Sequence, residues 1–143
     1  MLNLCQKKNK KLVVYLSMSF GNPYGDPWSI ELLAHWVELL AKKGVEVLSL
    51  SDTVGTATPQ LLESVFSQLI PAFPTINLGA HLHCKSEEAI PKLMAAFAGG
   101  CRRFDGAIKG YGGCPMAKDE LVGNLPTEKI LSFCTANKIE HTI

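Results

Sequence analysis

Four times along the chain, a short run rich in Val, Leu and Ile precedes a longer stretch whose apolar residues have helical spacing. That alternation, at a period of roughly 30 residues, restricts the chain to parallel strands joined by crossover helices. The strand runs are Leu12 to Met18, Val45 to Ser51, Ile76 to His83 and Phe104 to Ile108. Residues three and four apart share one helix face. Leu32, Leu33, Trp36, Val37 and Leu40 have this spacing, with Asp26 or Ser29 as cap and Gly44 as stop. Thr58 and Pro59 open the next helix, whose buried stripe is Leu62, Val65, Phe66 and Leu69. A third runs through Leu93, Met94 and Phe97 to Gly99-Gly100, and Pro91 leaves its start undefined. Thr127 is expected to cap a last helix through Ile130, Leu131 and Phe133.

Two architectures satisfy this pattern: an open doubly wound sheet and part of a (β/α)8 barrel. A complete barrel takes about 250 residues, and this chain has 143. The third strand separates the two. Ile76, Leu78, Ala80 and Leu82 share one face, while Asn77, Gly79, His81 and His83 share the other. The first face suits packing against helices. A polar, titratable face ending in two histidines suits the mouth of a barrel better than the middle of an open sheet. The expectation is therefore an α/β fold, one partial barrel domain of about four βα units over residues 1–143.

Composition narrows the function. At 47% hydrophobic and 19% charged residues the chain has the makings of a packed core. A net charge of +1 gives no reason to expect nucleic acid or an anionic membrane as partner. The run Lys7, Lys8, Lys10 and Lys11 reads as a solvated segment ahead of the first strand. Five cysteines, odd in number and without a CxxC, argue against a disulfide framework and a thiolate zinc site, and for a reducing, cytoplasmic setting. No signal segment is expected, and no apolar run approaches the ~18 residues of a membrane span.

The residues able to carry chemistry lie at loop and strand ends. Cys114 sits in Gly110-Tyr111-Gly112-Gly113-Cys114-Pro115, a loop in which glycines permit backbone conformations and close approaches closed to other residues. A thiol with pKa near 8.5 is mostly protonated at neutral pH, so Cys114 can donate a proton to a carbanion or enolate. His81 and His83 present two imidazoles to one side, a spacing that suits two ligands of one metal ion or two hydrogen-bonded histidines at a strand end. Asp52 ends the neighbouring strand and can bind substrate, orient a water or relay a proton, or simply cap a turn. Asn124 can offer a carbonyl oxygen to a hard cation or be an ordinary loop residue. His35, His141 and the other four cysteines read as surface or packing residues.

Taken together, four segments resemble hydroxymethylglutaryl-CoA lyase: Met18 through Trp28, Leu50 through Gly55, His81-Leu82-His83, and Gly110 through Ala117 with Gly123-Asn124-Leu125. Isopropylmalate and homocitrate synthases share a His-x-His strand; the Gly-Gly-Cys-Pro loop resembles the lyase branch. The resemblance implies the C-terminal half of a (β/α)8 barrel and a divalent metal, Mg2+ or Mn2+. It implies retro-Claisen cleavage of an acyl-CoA substrate, 3-hydroxy-3-methylglutaryl-CoA, to acetoacetate and acetyl-CoA, as in leucine catabolism and ketone body metabolism. By position it makes His81, His83 and Asn124 metal ligands, Cys114 the mobile-loop thiol and Asp52 an active-site acid. The family's first-strand Arg-Asp pair and a second-strand acid have no counterpart here, and Lys109 stands where a small residue is common. Free sheet edges imply association, as a homo-oligomer or with another chain. The alternatives are a non-catalytic α/β interaction module and a related aldolase or synthase acting on another substrate.

Overall fold

A computed structural model describes residues 1–113 and 122–142. A short helix α1 (Leu2–Lys7) leads into the repeat of β1 (Val13–Leu16), α2 (Ile30–Lys42), β2 (Val47–Asp52), α3 (Pro59–Ala72), β3 (Asn77–Cys84), α4 (Ala89–Ala98) and β4 (Phe104–Asp105). Two-residue β5 (Gly123–Asn124) and α5 (Thr127–Ala136) complete it. Caps explain where the helices begin. The Ser29 hydroxyl accepts the Leu32 N–H and the Thr58 hydroxyl accepts the Leu61 N–H. Pro91 falls in the first turn of α4, where its missing N–H would have had no helical partner. At α5 the capping position belongs to Pro126, and Thr127 is the first helical residue.

The strands are parallel and lie in the order β1-β2-β3-β4, each beside its neighbour in sequence. Doubly wound sheets reverse direction at a switch point; this sheet does not. Helices α2, α3 and α4 lie on one face. There Leu48, Leu50, Leu78, Ala80 and Leu82 meet Leu33 and Val37 of α2, Leu62, Val65, Phe66 and Leu69 of α3, and Leu93 and Ala96 of α4 in a single core. The other face carries Ser49, Ser51, His81, Arg103 and Asp105, an arrangement found inside barrels. The fold is half of a (β/α)8 barrel.

Two strands are shorter than their apolar runs. β1 stops at Leu16, because Met18 adopts a left-handed φ of 55°. β4 stops at Asp105, and Ile108 is solvent-exposed in a tight turn at Lys109 and Gly110. The Lys109 N–H in that turn is held by both Glu128 oxygens, at 3.1 and 3.0 Å.

α3 and α4 cross at Gly99. A Cβ there would lie 2.7 Å from the Glu63 carbonyl oxygen and 2.9 Å from Phe66 Cβ. Backbone cannot yield as a flexible side chain does. Gly99→Ala is expected to destabilise the chain by about 1–3 kcal/mol, the usual range for overpacking. A urea midpoint equal to that of the parent chain would show that the crossing adjusts without strain.

Candidate active site

Strand pairing brings the first part of the site together. Ser51 pairs with His81, His81 with Asp105, and His83 with Asn124 across the antiparallel β3–β5 ladder. His81, His83 and Asn124 therefore meet at the C-terminal end of the sheet. In parallel α/β folds that is the end where loops build sites. The two imidazole centroids are 5.1 Å apart.

Hydrogen-bond chemistry fixes which ring nitrogens are available. His83 Nδ1 lies 3.2 Å from the Asp52 carbonyl oxygen and 3.0 Å from that of Thr53. Carbonyls only accept, so Nδ1 carries a hydrogen, and the neutral form of this ring has its lone pair on Nε2. His81 Nδ1 is a buried atom without a hydrogen-bond partner. It faces Asp105 Oδ2 at 3.8 Å, too far for a hydrogen bond, but a neighbouring carboxylate favours the same tautomer. Burial, reinforced by the proximity of His83, lowers the His81 pKa against the opposing pull of Asp105. Neutral imidazole is the form that binds metal.

Asn124 adds an amide beside the two imidazoles. Its Nδ2 donates to the Tyr111 carbonyl at 2.8 Å, which orients Oδ1 away from that bond. The glycines before Cys114 allow this contact. Gly112 has φ +86°, and a Cβ on it would come within 2.9 Å of Asn124 Nδ2; its carbonyl accepts the Asn124 N–H. A Cβ on Gly110, φ +68°, would lie 2.9 Å from the Asn124 carbonyl oxygen. The loop thus lies backbone to backbone against the strand that carries the amide. Cys114 itself lies outside the described residues.

Asp52 is placed differently from an acid lining the mouth. It shares strand parity with Leu48 and Leu50, so its side chain points to the helix layer, away from His81. The residue is 1% exposed. One carboxylate oxygen accepts the Ala57 N–H at 3.1 Å and the other the Lys92 ammonium at 3.0 Å. Its contact with the site runs through its backbone carbonyl, which holds His83.

Sequence reasoning missed the residues beneath the histidines. The Ser49 hydroxyl donates to Asp105 Oδ2 at 2.6 Å, and the Arg103 guanidinium donates to Ser49 Oγ at 2.7 and 2.9 Å. Arg103 Nη2 also pairs with Asp105 Oδ1 at 3.3 Å. Gly79 makes the room: a side chain there would collide with the guanidinium. Tyr15 stacks edge-on against His81, with centroids 5.2 Å apart. Strand parity was the available signal, since Tyr15, Ser49 and Gly79 share one register row on the face of His81. The thiols of Cys84 and Cys101 are buried, which pushes their pKa values up to about 11 and about 12 and leaves them unreactive at neutral pH.

Two imidazoles and one amide oxygen are donors that could hold a divalent ion. Among the described residues no group of three His, Cys, Asp or Glu side chains is placed to hold a metal.

Parallel strands in sequential order, with paired histidines and an amide at their C-terminal ends, place the chain among (β/α)8-barrel proteins. The family model described as HMGL-like matches residues 1–143, and the chain belongs to that family. It is 37% identical over 129 residues to hydroxymethylglutaryl-CoA lyase YngG of Bacillus subtilis, covering 90% of this chain and 43% of the relative. The crystal structure of the Bacillus subtilis HMG-CoA lyase superposes with a TM-score of 0.87 at 35% identity, over 97% of this chain and 46% of that one. An HMG-CoA lyase from Acinetobacter baumannii, in complex with coenzyme A and 3-methylmalate, gives a TM-score of 0.83 at 29% identity, over 99% of this chain and 46% of that one. The chain spans under half the length of the relatives it matches.

Proposed function

We propose that this chain is the C-terminal half of a metal-dependent lyase. The completed barrel cleaves 3-hydroxy-3-methylglutaryl-CoA to acetoacetate and acetyl-CoA. The observation that carries this reading is the meeting of His81, His83 and Asn124 at the C-terminal end of the sheet, within a chain of the HMGL-like family.

His81 and His83 would hold Mg2+ or Mn2+ through Nε2, and Asn124 through Oδ1. When bound, the ion supplies Lewis acidity for the substrate's hydroxyl and carbonyl oxygens. The chain's own groups do the rest. The carbonyls of Asp52 and Thr53 receive the His83 Nδ1–H, and the Asp105 carboxylate, 3.8 Å from His81 Nδ1, favours the same form there. A base of the completed site takes the proton of the tertiary hydroxyl; the carbon–carbon bond then breaks, the alkoxide oxygen becomes the ketone of acetoacetate, and acetyl-CoA leaves as its enolate. Cys114 is the proton donor to that enolate, as a thiol that is mostly protonated at neutral pH. Asp52 serves by holding its loop, because its carboxylate is committed to Lys92 and Ala57.

The rest of the barrel would complete the site. β1 pairs only with β2 among the described residues, and Val13 and Tyr15 are exposed on or beside that edge. Unpaired edges and a bare inner face favour association with a complementary half-barrel or a second copy. Cys5, Cys84, Cys101 and Cys134 are free thiols, which supports a reducing, cytoplasmic setting. No described helix is long and apolar enough to cross a membrane.

The test is hydroxymethylglutaryl-CoA cleavage with Mn2+, by the chain alone and after mixing with the N-terminal half of a related lyase. Activity is expected in the mixture, and its loss on Cys114→Ala. A reassembled barrel that turns over a different acyl-CoA or oxo acid, and leaves this substrate intact, would reject the reading.

A further inference from the structure

Lys92 is the one lysine of the described chain that is buried, at 3% exposure. Its ammonium has three hydrogens, and three acceptors surround it: Asp52 Oδ2 at 3.0 Å, the Gly55 carbonyl at 3.0 Å and the His83 carbonyl at 3.2 Å. These belong to the end of β2, the loop that follows it and the end of β3. Glu88, one helical turn earlier, approaches only to 4.0 Å and is half exposed.

We propose that Lys92 is a positioning residue that sets the tautomer and orientation of His83, and thereby the metal-binding power of the site. The inference rests on the metal reading above. The chain of contacts is continuous. Lys92 anchors the Asp52 carboxylate, whose other oxygen accepts the Ala57 N–H, so the loop from 52 to 57 is fixed at both ends. That loop supplies the two carbonyls that receive His83 Nδ1–H. Lys92 also grips the backbone of His83 itself. The loop then bears on the strand of the third ligand: a Cβ on Gly55 would lie 2.7 Å from Val122 Cγ1 and 3.2 Å from the His83 carbonyl oxygen. Val122 precedes Gly123 and Asn124. One ammonium therefore braces two of the three proposed ligands.

Stability alone does not require this arrangement. A buried ion pair is often replaced by apolar residues of similar volume without loss. Three well-placed acceptors around one nitrogen are what geometric control needs, and groups behind metal-binding histidines commonly set affinity.

Two variants separate positioning from folding. Lys92→Arg keeps the charge beside Asp52 but cannot put three donors on one nitrogen. Lys92→Met with Asp52→Asn removes both charges and keeps an acceptor for the Ala57 N–H. The probes are imidazole 15N resonances of histidine-labelled protein and Mn2+ binding followed by electron paramagnetic resonance. His83 is expected as the Nδ1–H tautomer in the parent chain and as a mixture in both variants. The Mn2+ dissociation constant is expected to rise about 10- to 100-fold, the usual cost of losing such a support. A folded variant of either kind with unchanged tautomer and unchanged affinity overturns the proposal. A parent chain that shows the tautomer effect without binding Mn2+ overturns the metal reading and supports the positioning of His83.

Discussion

Lys92→Met alone is expected to destabilise the chain by about 3–5 kcal/mol, the cost of leaving a buried charge without its partner. The reason is specific to the site. Asp52 is 1% exposed, and its Oδ2 has Lys92 as its hydrogen-bond donor. Removing the ammonium also leaves the carbonyls of Gly55 and His83 without that donor. Small domains hold only about 5–15 kcal/mol in total, so most of the stability would go. Thermal or urea melts followed by circular dichroism measure this directly. Adding Asp52→Asn to the same chain should recover much of the loss, because the uncompensated charge is then gone. A single variant that melts like the parent would mean that water reaches Asp52 and that the pair is not buried in solution. The Glu38–Lys42 pair is the contrasting case: it is exposed on α2, and its removal should leave the melt unchanged.

The same pair shows how far the sequence could be read. Strand and helix periodicity were legible because each βα unit buries one face, and each repeats the pattern on its own. The caps at Ser29 and Thr58 were legible because capping is local chemistry. Lys92 was not. On sequence it is a lysine in an amphipathic helix, and its partner is 40 positions away. The side on which Asp52 lies was present in the parity of Leu48, Leu50 and Asp52, but a strand-end Asp before a Gly reads first as turn or site chemistry. Asp105 belongs to a two-residue strand that Arg103 directly precedes, too short to show any alternation. Their place beneath His81 follows from register across the sheet, with Ser49 lying 56 residues from Asp105. Long-range pairings of polar groups are what a single sequence hides. The Gly-rich loop was recognisable as a motif, yet its packing against Asn124 emerged only from the backbone approach at Gly110 and Gly112.

His81→Ala is expected to weaken Mn2+ binding by more than about 100-fold, beyond the 10- to 100-fold typical of a supporting residue. It is a cleaner variant than His83→Ala. His83 hydrogen-bonds two backbone carbonyls, so its loss would also loosen the loop after β2. His81 Nδ1 has no hydrogen-bond partner to forfeit, and its ring is in part exposed to solvent. Its removal should therefore leave the melt close to that of the parent while the metal is lost. Asp105→Asn supplies the graded comparison. It keeps the shape beside His81 but removes the carboxylate that favours the Nδ1–H form, so a loss within the supporting range is expected. Titration with Mn2+ by calorimetry or electron paramagnetic resonance reads all three proteins. Equal affinity in the parent and His81→Ala would mean that the two imidazoles are packing partners at a strand end.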